Sequence, residues 1–192
     1  RSVIPTKIAE KLGLPVFYPK IIMEGGSVDF NGAGTVMTST ACLLNKNRNP
    51  HLNKEQIEQF LTNYYGQDQV LWVDEGIVGD DTDGHIDDTV RFVNEDTVIT
   101  VIEENKDDEN YDLLKHNLKQ LKKMRLLNGK PLNIVEIPMP DPVIWEEHML
   151  PASYANFYIA NKQVIVPTYR SDKDQKVIDI IGQCFPDRDI VG

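Results

Sequence analysis

The chain has 192 residues, 41% of them apolar, enough for one large domain with its own core, and 30 acidic against 20 basic side chains leave a net charge of −10. That balance disfavours nucleic acid and anionic membrane as partners and suits a small cationic ligand. No run reaches the roughly eighteen consecutive apolar residues of a membrane span, no signal peptide precedes the first helix, and Cys42 and Cys184 show neither disulfide-framework nor metal-ligand spacing, so a cytoplasmic setting is expected.

In chain order, the first dozen residues hold a short helix with Ile8 and Leu12 on one face, capped by Gly13, and Val16 to Tyr18 reads as a strand. Two short strands, Val28 to Phe30 and Thr35 to Thr38, flank a turn containing Asn31-Gly32, followed by an Asn-rich loop from Ser39 to Pro50. A helix from Lys54 to Tyr65 follows: Asn53 and Gln56 have capping-box spacing, Ile57, Phe60, Leu61 and Tyr64 form its apolar stripe, and Gly66 ends it. Val70 to Val73 is a buried-type strand. The order then recurs with strands Thr89 to Val93 and Thr97 to Ile102, a helix from Asn110 to Leu127, and a strand Asn133 to Ile137. It recurs again with strands Asn156 to Ala160 and Val164 to Val166, a helix from Asp172 to Cys184 with Ser171 and Asp174 at capping-box spacing, and a last strand from Asp189. Trp72 and Trp145 read as core. Lys119, Lys122 and Lys123 read as a wet helix face, and Asp107-Asp108-Glu109 as an acidic helix start suited to the macrodipole.

This strand-strand-helix-strand repeat has a period near sixty residues, with helix starts at about 53, 110 and 172. One unit cannot cover its own sheet, so several pack as a solenoid or a closed ring. In a ring, equivalent positions point at one axis. Glu24 precedes the first strand of its unit by four residues, His85 precedes the next by four, and Asn156 opens the third.

Between the first two units lies the stretch Gly79 to Asp88, GDDTDGHIDD, with five carboxylates about one histidine. Such like charge repels itself unless a cation sits among it or the loop is well solvated. A metal ion and a cationic organic substrate are both candidates. The spacing lacks the terminal Glu of an EF-hand. On spacing alone Glu24, before two glycines, reads as a turn residue and His85 as either functional or a hydrogen-bonded loop group; Asp80, Asp83 and Asp88 read as solvated or loop-capping.

Four segments in order, Met23-Glu24-Gly25-Gly26-Ser27, the loop Leu43-Leu44-Asn45-Lys46-Asn47-Arg48-Asn49-Pro50, GDDTDGHIDD and Pro151 to Tyr158, resemble the agmatine deiminase family, grouped with bacterial peptidylarginine deiminases in the guanidine-modifying superfamily. The resemblance implies an α/β fold, a pseudo-symmetric propeller of five strand-strand-helix-strand units, of which about three and a half are present. Residues 1–192 are then part of a single catalytic domain truncated at both ends. It implies a hydrolase turning agmatine and water into N-carbamoylputrescine and ammonia, with no cofactor, a small guanidinium substrate, and homo-oligomer formation left open. Peptidylarginine deiminase and a non-catalytic cation-binding propeller are the alternatives.

By the same resemblance His85 is the general acid/base, Asp87 grips the guanidinium, and Glu24 accepts the other ring proton of His85. Asp81 resembles the position contacting the far amine of agmatine, and Asn156 lies near the pocket wall. The chain departs from the family pattern in two places. The nucleophilic cysteine of a Gly-rich, His-containing C-terminal segment is missing, and so is the acidic residue of an upstream Arg-Asp-x-Gly-Pro motif. Cys42 is expected to sit away from the site and Cys184 to be a buried hydrophobe. The 192 residues are therefore read as an internal, inactive piece.

Overall fold

The computed structural model describes residues 3–192. Helix α1 (Ile4–Leu12) ends at Gly13, whose left-handed φ of 65° suits a residue without a Cβ. Strands β1 (Val28–Phe30) and β2 (Thr35–Ser39) pair antiparallel, and Asn31 Oδ1 accepts from the Ala33 and Thr35 N–H groups to hold the turn. A short helix α2 (Thr40–Leu43) and the longer α3 (Lys54–Tyr65) carry the chain over to β3 (Gln69–Val73), which pairs parallel to β2. The capping box of Asn53 and Gln56 is formed at α3, and Gly66 closes it in the left-handed conformation.

The same connection is made twice more. In the second unit β4 (Val90–Phe92) pairs antiparallel with β5 (Thr97–Ile102), and α4 (Asn110–Leu121) leads to β6 (Asn133–Pro138), parallel to β5. After a small hairpin of β7 (Ile144–Trp145) and β8 (His148–Met149), β9 (Tyr158–Ile159) pairs antiparallel with β10 (Gln163–Ile165), and α5 (Asp174–Cys184) leads to β11 (Asp189–Val191), parallel to β10.

The middle strands of the first two units, β2 and β5, are buried on both faces, which is why they read as continuous apolar runs rather than alternating ones; β10 of the third unit buries Val164 and leaves Gln163 and Ile165 exposed. Along β2, Val36 enters a cluster with Ile57 and Leu61 of α3, while Met37 on the opposite face joins Val90, Phe92 and Leu121 of the second unit. Along β5, Val98 faces back to the first unit, while Ile99 and Val101 face Phe157, Val164, Val177 and Ile181 of the third. Each sheet thus buries its neighbour, so the units stack side by side.

Several expectations are corrected. Ile8 and Leu12 are exposed, so the apolar face of α1 is not part of the core. Val16 to Tyr18 pairs with no strand among the described residues; Pro15 and Pro19 on either side have no N–H to offer a ladder. The helix expected to reach Leu127 stops at Leu121, because the chain folds back about Asn128-Gly129, with Leu126 N–H bonding Lys130 O, and buries Leu126 and Leu132. No capping box forms at α5: Ser171 Oγ donates to Asp141, and the Asp174 carboxylate accepts from the Tyr154 hydroxyl and the Tyr169 N–H instead. Trp72 is core, but Trp145 at the tip of the β7–β8 hairpin is 67% exposed. The Asn-rich loop also hides α2, capped by Ser39 Oγ on the Cys42 N–H.

Candidate active site

The site lies where the lead-ins to the first strands of the three units meet. Arg91 on β4 shows why they meet. Its Nε donates to Asp29 Oδ1 of β1 at 2.9 Å, and its Nη1 to the carbonyls of Ala155 and Phe157 before β9 at 3.2 and 2.8 Å. Asp29 Oδ2 also accepts from the Phe92 N–H at 2.5 Å.

Two single 3-10 turns, Gly25–Ser27 and Ile86–Asp88, precede β1 and β4 and pack on one another. Glu24 and His85 stand at their entrances. The contact demands a glycine: a Cβ on Gly26 would lie 2.3 Å from His85 Nδ1 and 2.6 and 2.7 Å from the Asp87 carboxylate oxygens. The His85 ring is consequently held between two carboxylates, Nε2 3.8 Å from Glu24 Oε2 and Nδ1 3.9 Å from Asp87 Oδ1. Both distances exceed a hydrogen bond. His85 Nε2 and Asp87 Oδ1 are buried without any hydrogen-bond partner, the mark of polar atoms waiting for one. Burial pushes the Asp87 carboxyl up, opposed by the charges of Arg91 and His85.

The loop carrying His85 is tied by Asp80. Its carboxylate accepts from the Thr82 N–H and hydroxyl, the Gly84 N–H at 2.8 Å and the His85 N–H at 3.1 Å. Burial works against the charge, but these donors prevail and hold the carboxyl below its usual value. Gly84 turns the loop with φ 93°, and its carbonyl accepts from Ser39 Oγ. Asp80 is therefore loop-capping, as one of the two sequence readings had it.

Glu24 differs from the expectation in one respect. Its carboxylate is taken by Arg48 Nε, at 2.8 Å to Oε2 and 3.0 Å to Oε1, and it makes no hydrogen bond to His85. Arg48, only 8% exposed, spends its other donors on Asp83 Oδ2 at 3.2 Å and on the carbonyls of Cys42 and Thr82. One guanidinium thereby ties the Glu24 lead-in, the Asn-rich loop and the His85 loop together.

Of the remaining site candidates, Asn156 Nδ2 donates to Asp88 Oδ1 at 2.8 Å. Asp88 is buried, and that burial pushes its carboxyl up to about 6 against the Asn156 bond. Asp81 is exposed and makes no hydrogen bond. The equivalence expected of Glu24 and His85 holds to within one residue. The hairpin-closing bonds from the Asn31, Val93 and Ala160 N–H groups make Ser27, Thr89 and Asn156 equivalent, which puts His85 one residue ahead of the place of Glu24. Counted from the turns themselves, Glu24 and His85 are each the residue that opens its turn, and the packing of the two turns brings the two side chains together.

The expectation that Cys42 lies away from the site is overturned. Its Sγ, a His85 ring nitrogen and a Glu24 carboxylate oxygen all lie within 4.8 Å of one another. Burial pushes the Cys42 thiol up to about 12, so it carries no nucleophilic thiolate near neutral pH. Sequence reasoning also passed over Arg48 and Gly26. A lone arginine in an Asn-rich loop gives no sign of its partners 24 and 35 residues away, though both residues lie within the segments that carried the resemblance.

A family profile described as Porphyromonas-type peptidyl-arginine deiminase matches residues 1–192. A protein of Legionella pneumophila (strain Paris) described as "Putative agmatine deiminase" is 37% identical over 171 residues, covering 88% of this chain and 49% of the relative. A solved C. jejuni agmatine deiminase C315S with substrate bound superposes with a TM-score of 0.91 at 38% identity, over 99% of this chain and 56% of that one. An agmatine deiminase of Enterococcus faecalis gives a TM-score of 0.91 at 33% identity, over 99% and 57%. The chain spans about half the length of the curated relatives it matches.

Proposed function

The chain belongs to the Porphyromonas-type peptidyl-arginine deiminase family, a family of guanidine-modifying enzymes, and on that premise we propose that it carries the acid/base half of an agmatine deiminase site. The observation that supports this most is the convergence of Glu24, His85 and Asp87, from two units, about one imidazole.

A guanidinium carbon is a poor electrophile, because its charge is spread over three nitrogens. The reaction needs carboxylates to hold the flat cation, a nucleophile, and a group that gives a proton to departing ammonia and later takes one from water. Asp87, with an unpartnered buried oxygen, receives the guanidinium N–H groups. His85 donates to the leaving ammonia and then accepts from the attacking water. Glu24 keeps the imidazole charged when needed, and Asp81 meets the second positive charge of agmatine. Asn156 acts on the pocket wall through its bond to Asp88.

The nucleophile in this reading is a cysteine outside the 192 residues. Its thiolate bonds the guanidinium carbon, ammonia leaves, and water cleaves the resulting thiouronium to N-carbamoylputrescine, returning the thiol. The units present are then part of one catalytic domain, a five-unit propeller closed by further units.

In a protein holding these residues together with that cysteine, His85→Ala is expected to abolish ammonia release from agmatine; unchanged turnover refutes the role. Peptidylarginine is the second reading, favoured by the description of the matching family. Turnover of a blocked arginine peptide in preference to agmatine, indifferent to Asp81→Asn, selects it.

A further inference from the structure

We propose that Cys42, His85 and Glu24 form a site for one thiophilic divalent cation of the zinc class, at the same imidazole and carboxylate that the deiminase chemistry uses. The coordination rests on the geometry alone; its consequence, that the cation competes with a guanidinium substrate, rests on the function proposed above.

The donor set is one thiol, one imidazole and one carboxylate, with their ligating atoms within 4.8 Å of one another. Around a tetrahedral zinc, with bonds of about 2.0–2.3 Å, ligand atoms stand roughly 3.5 Å apart, so closure by about 1 Å completes the site. The Glu24 and His85 edge, at 3.8 Å, already meets that spacing. His85 Nε2 is buried and unpartnered, free to ligate.

The surroundings supply what a metal site needs beyond its ligands. His85 Nδ1 faces Asp87 at 3.9 Å, unbonded in the free protein, and a shift of about 1 Å on metal binding would give the carboxylate–histidine pair that orients a ligating ring. Arg48 Nε fixes the Glu24 carboxylate, whose remaining lone pairs stay available. A dication with one thiolate and one carboxylate is electrically neutral, and the charge of Arg48 is matched by Asp83 at 3.2 Å. Sulfur and imidazole select zinc-like cations over magnesium and calcium, which seek oxygen alone. Cys42 ligates as the thiolate, so binding a cation displaces its proton. The half-exposed Glu24 leaves an entry path.

The test uses cobalt(II) as the probe on the reduced 192-residue chain. One equivalent is expected to give a thiolate-to-cobalt charge-transfer band, displaced by zinc. Cys42→Ser removes the band, Cys184→Ser keeps it, and Asp87→Asn weakens binding about 10–100-fold. Absence of the band, its loss in Cys184→Ser, or its persistence in Cys42→Ser overturns the site. Should Cys42→Ser fail to fold, His85→Asn decides in its place: a retained band at unchanged affinity overturns the proposal. A band in the 192-residue chain, with no agmatine turnover by a protein that holds these residues together with the nucleophilic cysteine, sinks the deiminase reading and leaves the site standing; turnover by that protein with no band in the chain does the reverse.

Discussion

The Nε of Arg48 stands 2.8 and 3.0 Å from the two carboxylate oxygens of Glu24, while the His85 nitrogen facing the same carboxylate stands 3.8 Å away. Glu24 thus answers to Arg48 first, and the imidazole is held near the carboxylate without being bonded to it. Any change at Arg48 is read at His85 through this shared group.

Arg48→Lys keeps the charge but cannot reproduce a fork that reaches Glu24, Asp83 and two carbonyls at once. The expected loss is about 1–3 kcal/mol of stability, discounted for the partial exposure of Glu24. Urea unfolding measures it; a midpoint unchanged from the parent would show that the charge alone suffices.

Gly26→Ala and Gly25→Ala form a matched pair. A Cβ at Gly26 collides with His85 and Asp87, whereas one at Gly25 meets nothing within 4 Å. In the turnover-competent protein, Gly26→Ala is expected to cost about 100-fold in agmatine turnover by displacing the imidazole on the order of 1 Å. Gly25→Ala is expected to remain within twofold. Equal effects from both would remove the packing argument.

Asp88 predicts a pH signature. Burial puts its folded carboxyl at about 6, above the ordinary aspartate value of 3.8, so between these values the folded state binds more protons than the unfolded one. Its contribution is present below the lower value and is lost as pH rises through the upper one. Asp88→Asn is therefore expected to raise stability at pH 7, by on the order of 1–3 kcal/mol, and to leave it little changed at pH 4. Unfolding free energies at the two pH values check this; an equal change at both would contradict it.

Arg91→Met strips the donor that joins β1, β4 and the approach to β9. It leaves Asp29, whose carboxyl burial already pushes up against the Arg91 charge, without its counter-ion. About 3 kcal/mol of destabilisation is expected. Pairing it with Asp29→Asn should recover part of the loss, and a double-mutant cycle with no coupling energy would separate the two residues.

Much of the architecture was readable because it depends on local chemistry. Asn53 with Gln56 and the terminal Gly66 mark α3 at both ends, and Val98 to Val101 announce a strand buried on two faces. The three-fold recurrence of strand, strand, helix, strand follows from such signals alone. Where local chemistry was outvoted, distant partners were responsible: Asp174 left its capping role for two tyrosines, and α4 gave up its last turns to bury Leu126.

The sequence by itself determined most of the strands and the three long helices, that they repeat, and which loop concentrates charge, since propensity, capping and periodicity act within a few residues of each other. Only the tertiary structure decided what that charge faces. The pairing of Arg48 with Glu24, the glycine contact that seats His85 beside Asp87, and the arrival of Cys42 at the same point all join segments tens of residues apart. Those distances are closed by sheets burying one another's apolar faces, a non-directional force that brings segments together without encoding in any of them which side chains will meet.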